Sequence, residues 1–362
     1  MKKAKFTVCF LTIAYGLLVL LAVCKPDDEF SITERRKLTQ KPEITWTNIQ
    51  NGNFMTATEK YVTDQFPFRD AFRSLKALFS TEILQNKDTN GIYYKDGYLA
   101  QMEYPMNETS IQRAAVIFSW MNEKYFARTD VKPYICVIPD KNYVLSENKY
   151  LSMDYDQFIQ NVEKEVPFAQ AVSIKNLIQL SDFYKTDTHW KQEEITDIAW
   201  KLAEEMDTPI SGEYEAIQVE TPFYGVYYGQ RALPTAPDYI TYCSNPMLEQ
   251  CRVYDHENGK EIPMYDVFKI EGRDPYEMFL GGNVSLVTIE NPDALSQKEL
   301  IVFGDSFSRS IVPLLAEGYA KITLADIRYL PSTSVGKYIT FTNQDILFLY
   351  STSVLNNSIT LK

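Results

Sequence analysis

The sequence predicts an α/β fold in which helices flank a parallel β-sheet. Three apolar runs near the carboxyl end are typical of buried strands: ELIVFG (299–304), KITLADI (321–327) and DILFLYS (345–351). The segment SRSIVPLLAE (308–317) has a helical pattern, and the earlier run YICVIPDK (134–141) ends in a turn as a buried strand does. Strands that alternate with helical segments favour a parallel sheet.

The N-terminus predicts a membrane anchor. Lys2, Lys3 and Lys5 precede an uncharged stretch of 19 residues, Phe6–Cys24, and a transmembrane helix needs roughly 20. An acidic segment, KPDDEF, follows, so the positive-inside rule puts the N-terminus in the cytoplasm and the rest outside the membrane. We expect residues 1–25 to be an uncleaved signal anchor; a cleaved signal and a secreted protein are the alternative.

The rest of the chain divides into a stalk, residues 26–85, and a main domain, residues 86–362. The stalk ends in a helix, because apolar side chains recur at helical spacing at Phe72, Leu75, Phe79 and Ile83. In the main domain, a segment at about 207–297 is rich in Gly, Pro and Tyr and lacks a helical period. We expect it to be a mostly β insertion.

Three further elements are predicted in the main domain. NGIYYKDGYLAQM (90–102) is typical of a hairpin whose turn contains Lys95, Asp96 and Gly97. The pattern over 110–126 is helical. After His189, a further helix places its apolar residues on one face, namely Ile195, Ile198, Ala199, Leu202 and Met206.

Charge and cysteine content exclude some classes of function. The chain has 48 acidic and 36 basic residues and a net charge of −12, which disfavours nucleic acid as a partner. Cys136 lies in an apolar run and is expected to be a buried thiol, whereas Cys243 and Cys251 fit a disulfide and free thiols equally well. No spacing indicates a metal site, and no cofactor is predicted.

The segment GDS (304–306) is a candidate nucleophile turn. An apolar strand runs into it and a helix follows, so Ser306 lies where ligands bind in open α/β sheets. Gly304 allows a tight turn and close approach of a substrate, and backbone N–H groups at a helix start can hold an oxyanion. The alternative is that Asp305 or Ser306 only caps the helix, and GDS alone does not decide between the two.

The segment DTHW (187–190) supplies the partners that a nucleophilic serine needs. Asp187 and His189 are two residues apart, so in an extended segment their side chains point to the same side. A carboxylate that holds an imidazole in one tautomer, and an imidazole that removes a serine proton, form a triad. We therefore predict Ser306, His189 and Asp187 as catalytic residues. His256, the other histidine, lies in a polar turn and is expected to be an exposed loop residue.

These motifs resemble the blocks of SGNH hydrolases. GDSFS resembles the serine block and DTHW the Asp-x-His block, but the order along the chain is reversed. This order is similar to that of the alginate O-acetyltransferase family and the related DHHW proteins. Further similar segments span nearly all of the chain after the anchor: DQFPFRDAFRSLK (64–76), YYKDGYL (93–99), IPDKNYV (138–144), MFLGGN (278–283) and DILFLYSTSVLNNS (345–358). The resemblance implies an SGNH-hydrolase-like, flavodoxin-like sheet with a circularly permuted motif order.

The resemblance also implies further site residues. Arg328 and Tyr350 follow strands and would line the site, although each would equally serve a structural role. The chain has Thr188 where DHHW proteins carry a second histidine. The usual oxyanion asparagine has three possible counterparts, Asn283, Asn343 and Asn356, of which Asn283 is our prediction.

The function implied is that of an extracytoplasmic serine O-acetyltransferase or acetylesterase. Its substrate would be a cell-surface or exported polysaccharide, and a membrane-bound O-acyltransferase would supply the acetyl group. Tyr224, Tyr227 and Tyr228 could stack on sugar rings or simply fill the core. The alternatives are a non-catalytic glycan-binding or scaffold protein of a polysaccharide-modification complex, and a lipid or thioester hydrolase, which an apolar groove would favour.

Overall fold

The computed structural model describes residues 2–147 and 149–362, and Met1 of the predicted anchor lies outside this range. Two compact units are present. One contains the residues up to Asn90 together with Tyr228–Thr235, and the other contains Gly91–Tyr227 and Ala236–Lys362.

The helices and strands of the described residues are numbered in chain order. The helices are α1 (Lys2–Cys24), α2 (Trp46–Gln50), α3 (Asn53–Asp64), α4 (Arg69–Leu78), α5 (Glu108–Met121), α6 (Asn142–Leu145), α7 (Tyr155–Glu165), α8 (Thr196–Glu205), α9 (Val226–Arg231), α10 (Pro246–Glu249), α11 (Ser308–Leu315) and α12 (Thr352–Asn356). The strands are β1 (Phe30–Ser31), β2 (Arg36–Lys37), β3 (Asp88–Thr89), β4 (Ile92–Lys95), β5 (Tyr98–Gln101), β6 (Lys132–Ile138), β7 (Gln170–Ala171), β8 (Glu215–Gln218), β9 (Thr241–Ser244), β10 (Arg252–Asp255), β11 (Lys260–Ile262), β12 (Leu286–Glu290), β13 (Glu299–Gly304), β14 (Lys321–Ala325) and β15 (Asp345–Ser351).

The second unit is built on an eight-stranded sheet with the strand order β11-β10-β12-β14-β13-β15-β6-β7. The pairings from β14 through β13, β15 and β6 to β7 are parallel, whereas β12, β10 and β11 are joined by antiparallel pairings. The mixed α/β class with a largely parallel central sheet is therefore confirmed. Three of its strands, β10, β11 and β12, come from the segment that we predicted as an insertion.

The central strands are apolar on both sides because each face of the sheet carries its own core. Residues alternate between the two sides of a strand, and parallel strands buried on both faces read as continuous apolar runs. On β15, Leu347 and Leu349 pack with helices α8 and α11. Phe348 and Tyr350 pack on the opposite side, with helices α5 and α7.

The local elements follow the sequence patterns closely. Strands β4 and β5 form the predicted hairpin, and its turn residues Asp96 and Gly97 both have positive φ, 49° and 88°, as a tight two-residue hairpin turn requires. The helix predicted over 110–126 is α5 followed by a π-helical turn, Asn122–Phe126. The helix predicted after His189 is α8.

The first unit contains the apolar N-terminal helix. Within α1, the 21 residues Ala4–Cys24 are long and apolar enough to cross a membrane, which is compatible with a signal anchor. The helix predicted at the end of the stalk is α4, which continues into a π-helical turn at Phe79–Ile83.

Candidate active site

Ser306, Arg328 and Asn283 lie at one edge of the sheet. Ser306 follows β13, and Arg328 follows the parallel neighbour β14. Strand β12 runs antiparallel to β14, with Leu286 opposite Ala325, so the loop that contains Asn283 reaches the same edge. The carboxyl ends of parallel strands are the usual position of ligand sites in open α/β sheets.

Ser306, His189 and Asp187 form a continuous chain of hydrogen bonds. His189 Nε2 lies 2.8 Å from Ser306 Oγ, and His189 Nδ1 lies 2.6 Å from Asp187 Oδ1. Because the Asp187 carboxylate can only accept, Nδ1 carries the proton and Nε2 is free to accept from the Ser306 hydroxyl. The structure thus brings together the three residues predicted as a triad, with Asp187 fully buried and Ser306 half-buried.

The Asp187 carboxylate is fixed by the backbone around it. Oδ1 accepts from the backbone N–H of His189 at 3.1 Å, and Oδ2 accepts from the N–H of Val226 at 2.8 Å. The chain at Gly225 passes so close that any Cβ there would lie 2.4 Å from atoms of Asp187. Gly225 therefore permits the close packing that holds the carboxylate in place.

Lys141 supports Asp187 from behind. Its ammonium group donates to the carbonyl oxygens of Asp187 and Leu99, both at 2.7 Å, and the residue is 2% exposed. Burial lowers the pKa of Lys141 to about 7. Lys141 lies within IPDKNYV, and the sequence does not predict its role because its partners are remote in the chain.

Trp190 ties the DTHW segment to the helix that follows Ser306. The indole Nε1 donates to Phe307 O at 3.0 Å and to Ser310 Oγ at 2.8 Å. Gln192 Nε2 donates to Ser310 O at 2.5 Å. Because Trp190 is fully buried, these bonds set the spacing between the histidine loop and α11.

Asp305 is a scaffold residue within the GDS segment. Its Oδ1 accepts from Phe307 N at 3.0 Å, and its Oδ2 accepts from the N–H and the hydroxyl of Ser351 at 2.8 and 2.7 Å. Asp305 is fully buried. Its carboxylate therefore fastens the turn to the end of β15, whereas the Ser306 hydroxyl faces His189.

Gly304 lies beneath the turn. A Cβ at this position would meet the side chain of Ser308 at 2.8 Å and Leu349 O at 2.9 Å, so the glycine is needed for packing. We expect Gly304→Ala to lower the free energy of unfolding by about 1–3 kcal/mol, because the neighbours must shift. Urea unfolding followed by tryptophan fluorescence measures this change. A transition at the wild-type urea concentration would contradict the packing argument.

A cavity of about 100 Å³ opens beside Ser306 and His189. Its lining is His189, Asp274, Tyr276, Glu277, Gly282, Asn283, Ser306, Arg309, Asp326 and Arg328. Arg328 is held by Asp326, with Nη2 2.7 Å from Oδ2 and Nε 3.0 Å from Oδ1. Asn283 lies in the cavity lining, where its amide nitrogen donates to Glu277 Oε1 at 2.9 Å.

Four other predicted positions lie outside the cavity lining. Tyr350 is 1% exposed and packs against Phe118, with ring centroids 5.3 Å apart. It shares the side of β15 used by Phe348, which is the face opposite the histidine loop and α11. Gly304 is buried. Asn343 precedes β15, at the amino end of the parallel strands, and Asn356 bonds to Asn107 N and Pro105 O.

The tyrosines considered for sugar stacking are also outside that lining. Tyr224 is 45% exposed, whereas Tyr227 is 6% exposed and donates to Thr188 Oγ1 at 3.1 Å. Tyr228 belongs to the first unit.

Among the cavity residues that were not predicted as site residues from the sequence, Tyr276 and Arg309 hold neighbouring parts of the site. Tyr276 stacks on the imidazole of His189, and Arg309 donates to the carbonyls of Leu280 and Val284. Arg309 thereby holds the loop at Leu280–Gly282, whose three residues have φ of 49°, 75° and 75°. Burial lowers the pKa of Arg309 to about 10. The segment PYEMFLGGN (275–283) contains Tyr276, which contacts His189, and Leu280, whose carbonyl accepts from Arg309. Of this segment, only MFLGGN was identified from the sequence, by its resemblance to DHHW proteins.

The remaining titratable residues singled out by the sequence lie elsewhere. Cys136 is buried as predicted, and Cys243 and Cys251 are free thiols. His256 is exposed in the turn after β10 and contacts Thr288 Oγ1 at 3.1 Å. Within residues 2–147 and 149–362, no cluster of three or more His, Cys, Asp or Glu could hold a metal ion.

Solved structures match this chain over most of its length. A DHHW family protein from Eubacterium siraeum is 21% identical, with a TM-score of 0.57, and the match covers 74% of this chain and 93% of that chain. Bacillus cereus PatB1 with a sulfonyl adduct is 16% identical, with a TM-score of 0.57 over 73% of this chain and 95% of that chain. No protein-family model and no curated protein sequence matches. The predicted resemblance to DHHW proteins is thus confirmed at the level of the fold.

Proposed function

We propose that the protein is a serine O-acetyltransferase or acetylesterase that acts on a polysaccharide outside the cytoplasmic membrane. The observation that carries this proposal is the hydrogen-bonded chain from Ser306 through His189 to Asp187 beside a small polar cavity. The similarity of GDSFS and DTHW to the SGNH blocks supports the same reading, as does the fold shared with a DHHW protein. The reversed order of the two motifs is part of the proposal: we interpret it as a circular permutation.

In the first half-reaction, Ser306 Oγ attacks the carbonyl carbon of an acetyl ester while His189 Nε2 takes the hydroxyl proton. The negative charge moves to the carbonyl oxygen, where the backbone N–H of Ser306, two residues before α11, would stabilise it. When the tetrahedral intermediate collapses, the bond to the donor oxygen breaks and His189 returns the proton to the leaving group. Acetyl-Ser306 remains.

In the second half-reaction, a hydroxyl group attacks acetyl-Ser306. His189 removes the proton of that hydroxyl and then gives it to Ser306 as the acetyl group leaves. A sugar hydroxyl gives transfer, and water gives hydrolysis. Asp187 stabilises the positively charged imidazole in both steps without taking its proton.

The size and polarity of the cavity support acetyl as the transferred group. Its volume of about 100 Å³ is below the roughly 300–1,000 Å³ of sites that bury larger ligands. Most of the lining side chains are charged or polar, which disfavours the long apolar chain of a lipid. The lipid-hydrolase alternative is therefore less well supported.

The proposed location rests on the N-terminal helix. If Ala4–Cys24 anchors the chain with its N-terminus in the cytoplasm, the site lies outside the membrane. Soluble acetyl donors of the cytoplasm are not expected to reach it there. Family resemblance then favours a membrane-bound O-acyltransferase as the supplier of acetyl groups. A cell-surface or exported polysaccharide would be the acceptor.

Acetyl transfer can be tested with the full-length protein in detergent and 4-nitrophenyl acetate as donor. We expect release of nitrophenolate and, after acid quenching, one acetyl group on the peptide that contains Ser306. Neutral and uronate-containing oligosaccharides are then added as acceptors. Acetylated sugar indicates transfer, and free acetate without it indicates hydrolysis.

A matched donor, 4-nitrophenyl octanoate, tests the acyl preference. We expect it to react more slowly than the acetyl ester because the cavity is small and polar. Faster reaction of the octanoyl ester would contradict the acetyl assignment. If neither ester gives nitrophenolate release or a Ser306 adduct, the enzyme proposal fails. The alternative of a glycan-binding scaffold then remains.

A further inference from the structure

The rings of Tyr276 and His189 lie face to face. Their centroids are 3.8 Å apart and their planes are inclined by 7°. The tyrosine is 4% exposed and the histidine 8%. A close parallel contact of this kind covers one whole face of the imidazole and keeps water away from it.

Tyr276 is itself fixed on two sides. Its hydroxyl donates to Ser310 Oγ at 2.8 Å, the same oxygen that accepts from Trp190 Nε1. Its ring also packs against Phe279, with centroids 5.1 Å apart. Burial raises the pKa of Tyr276 well above its ordinary value, so the ring stays neutral. Ser310 Oγ therefore holds Tyr276 and Trp190 in position together.

The two side-chain hydrogen bonds of His189 are made by its ring nitrogens, at the edge of the ring. The bonds from Nδ1 to Asp187 and from Nε2 to Ser306 fix the direction of the ring. Neither bond acts on the faces of the ring. A flat, anchored neighbour at stacking distance blocks movement of the ring toward its own side.

We propose that Tyr276 is a positioning residue that holds the His189 ring in its reactive orientation and stabilises the imidazolium formed in each half-reaction. This role rests on the proposed function, since it requires that His189 accepts a proton during turnover. The face of an aromatic ring attracts a cation placed over it, most strongly when water is excluded. The stack therefore acts where the reaction places positive charge.

Other charged groups lie near His189 and must be held constant in a test. Asp187 is hydrogen-bonded to the ring of His189. The charged residues of the cavity lining are Asp274, Glu277, Asp326, Arg309 and Arg328. Lys141 acts from behind Asp187. Substitutions confined to Tyr276 leave all of these groups in place.

The test compares Tyr276→Phe with Tyr276→Leu in the full-length protein. Phenylalanine keeps the aromatic face and loses the bond to Ser310, whereas leucine fills the site without an aromatic face. We expect the leucine variant to lower kcat for 4-nitrophenyl acetate about tenfold with little change in KM. We also expect the acidic limb of its pH–rate profile to move about 0.5 unit to lower pH, because the imidazolium loses its aromatic neighbour. The phenylalanine variant should keep the wild-type limb.

A second measurement does not depend on turnover. The chain has two histidines, so protein labelled with ¹³C-histidine gives two ring signals, and His256→Ala assigns them. We expect the His189 signal to lose the ring-current shift that Tyr276 causes in Tyr276→Leu, while the contribution of Phe307, with its centroid 5.1 Å away, remains. We also expect it to titrate at lower pH than in wild type and Tyr276→Phe. Equal His189 titration in all three proteins would overturn the proposal. If the wild type shows the stacking shift but no acetyl adduct, the proposed function fails and the contact is structural.

Circular dichroism and thermal unfolding show whether each variant is folded. If Tyr276→Leu does not fold, Tyr276→Met is used instead, because methionine also lacks an aromatic ring and adapts to irregular gaps. Equal losses of kcat in the phenylalanine and non-aromatic variants, without a shift of the pH limb, would also overturn the proposal.

Discussion

Ser306→Ala is expected to reduce the turnover of an acetyl ester by at least about a thousandfold, and His189→Ala is expected to be similarly damaging. Without the serine oxygen no acetyl-enzyme can form, and without the imidazole the hydroxyl keeps its proton. Because the two residues act as one unit through a 2.8 Å contact, the double variant should be no slower than either single variant. Nitrophenolate release measured with excess protein gives these rates.

His256→Ala is the matched control for the histidine substitution. His256 is the other histidine of the chain and is exposed in a turn after β10. Its removal should leave the rate unchanged. Multiplicative losses in Ser306→Ala/His189→Ala, or retained turnover in Ser306→Ala, would contradict a shared mechanism.

The part of the site predicted from sequence depended on short-range geometry. Asp187 and His189 are two residues apart, and that spacing alone places both side chains on one side of an extended segment. Ser306 follows an apolar strand directly, so its place at the edge of the sheet was predictable from the pattern of the strand. The distance between the two segments was not, since it depends on Trp190, Gln192 and Ser310 packing across 117 or more positions of sequence.

The residues that sequence reasoning missed act through contacts between distant elements. Lys141 reaches the Asp187 carbonyl from the turn after β6, and Tyr276 reaches His189 from a 3-10 helical turn, Pro275–Met278. Neither residue belongs to a motif whose chemistry is visible in isolation. The role of a buried lysine or a buried tyrosine can be inferred only when the residues that it contacts are known.

The position of Tyr350 shows that closeness to the end of a strand does not by itself place a residue in the site. The side chain must also point to the correct face of the sheet. Tyr350 is close to the carboxyl end of β15, as a site residue should be, and the resemblance favoured it. Yet Ile346, Phe348 and Tyr350 point to the α5 and α7 side of the sheet, whereas Leu347 and Leu349 point to the side of the histidine loop. Counting alternate residues along DILFLYS from a known core position would have placed Tyr350 in the opposite core.

Asp305→Ala is expected to lower the free energy of unfolding by about 3–5 kcal/mol. The carboxylate accepts from Phe307 N and from the N–H and hydroxyl of Ser351, and it is fully buried. Alanine leaves these donors unpaired where water cannot replace the lost acceptor, and this penalty exceeds the net value of the bonds themselves. Urea unfolding followed by tryptophan fluorescence measures the change.

Ser351→Ala provides the graded control for this scaffold role. It removes the hydroxyl bond to Asp305 and the α12 cap bond that Ser351 Oγ accepts from Val354 N at 3.4 Å. Both backbone donors stay paired with the carboxylate, so we expect a loss of about 1–2 kcal/mol. The loss of unfolding free energy in Asp305→Asn should lie between those of Asp305→Ala and Ser351→Ala. The amide oxygen can still accept a hydrogen bond, but the amide NH₂ faces donors on its other side. If Asp305 served the reaction instead of the fold, Asp305→Asn would lose turnover while unfolding at the wild-type urea concentration. The hydrogen bonds of Asp305 predict the reverse, namely that Asp305→Asn lowers the free energy of unfolding more than it lowers turnover. The folded fraction loses turnover only if the turn moves Ser306 away from His189.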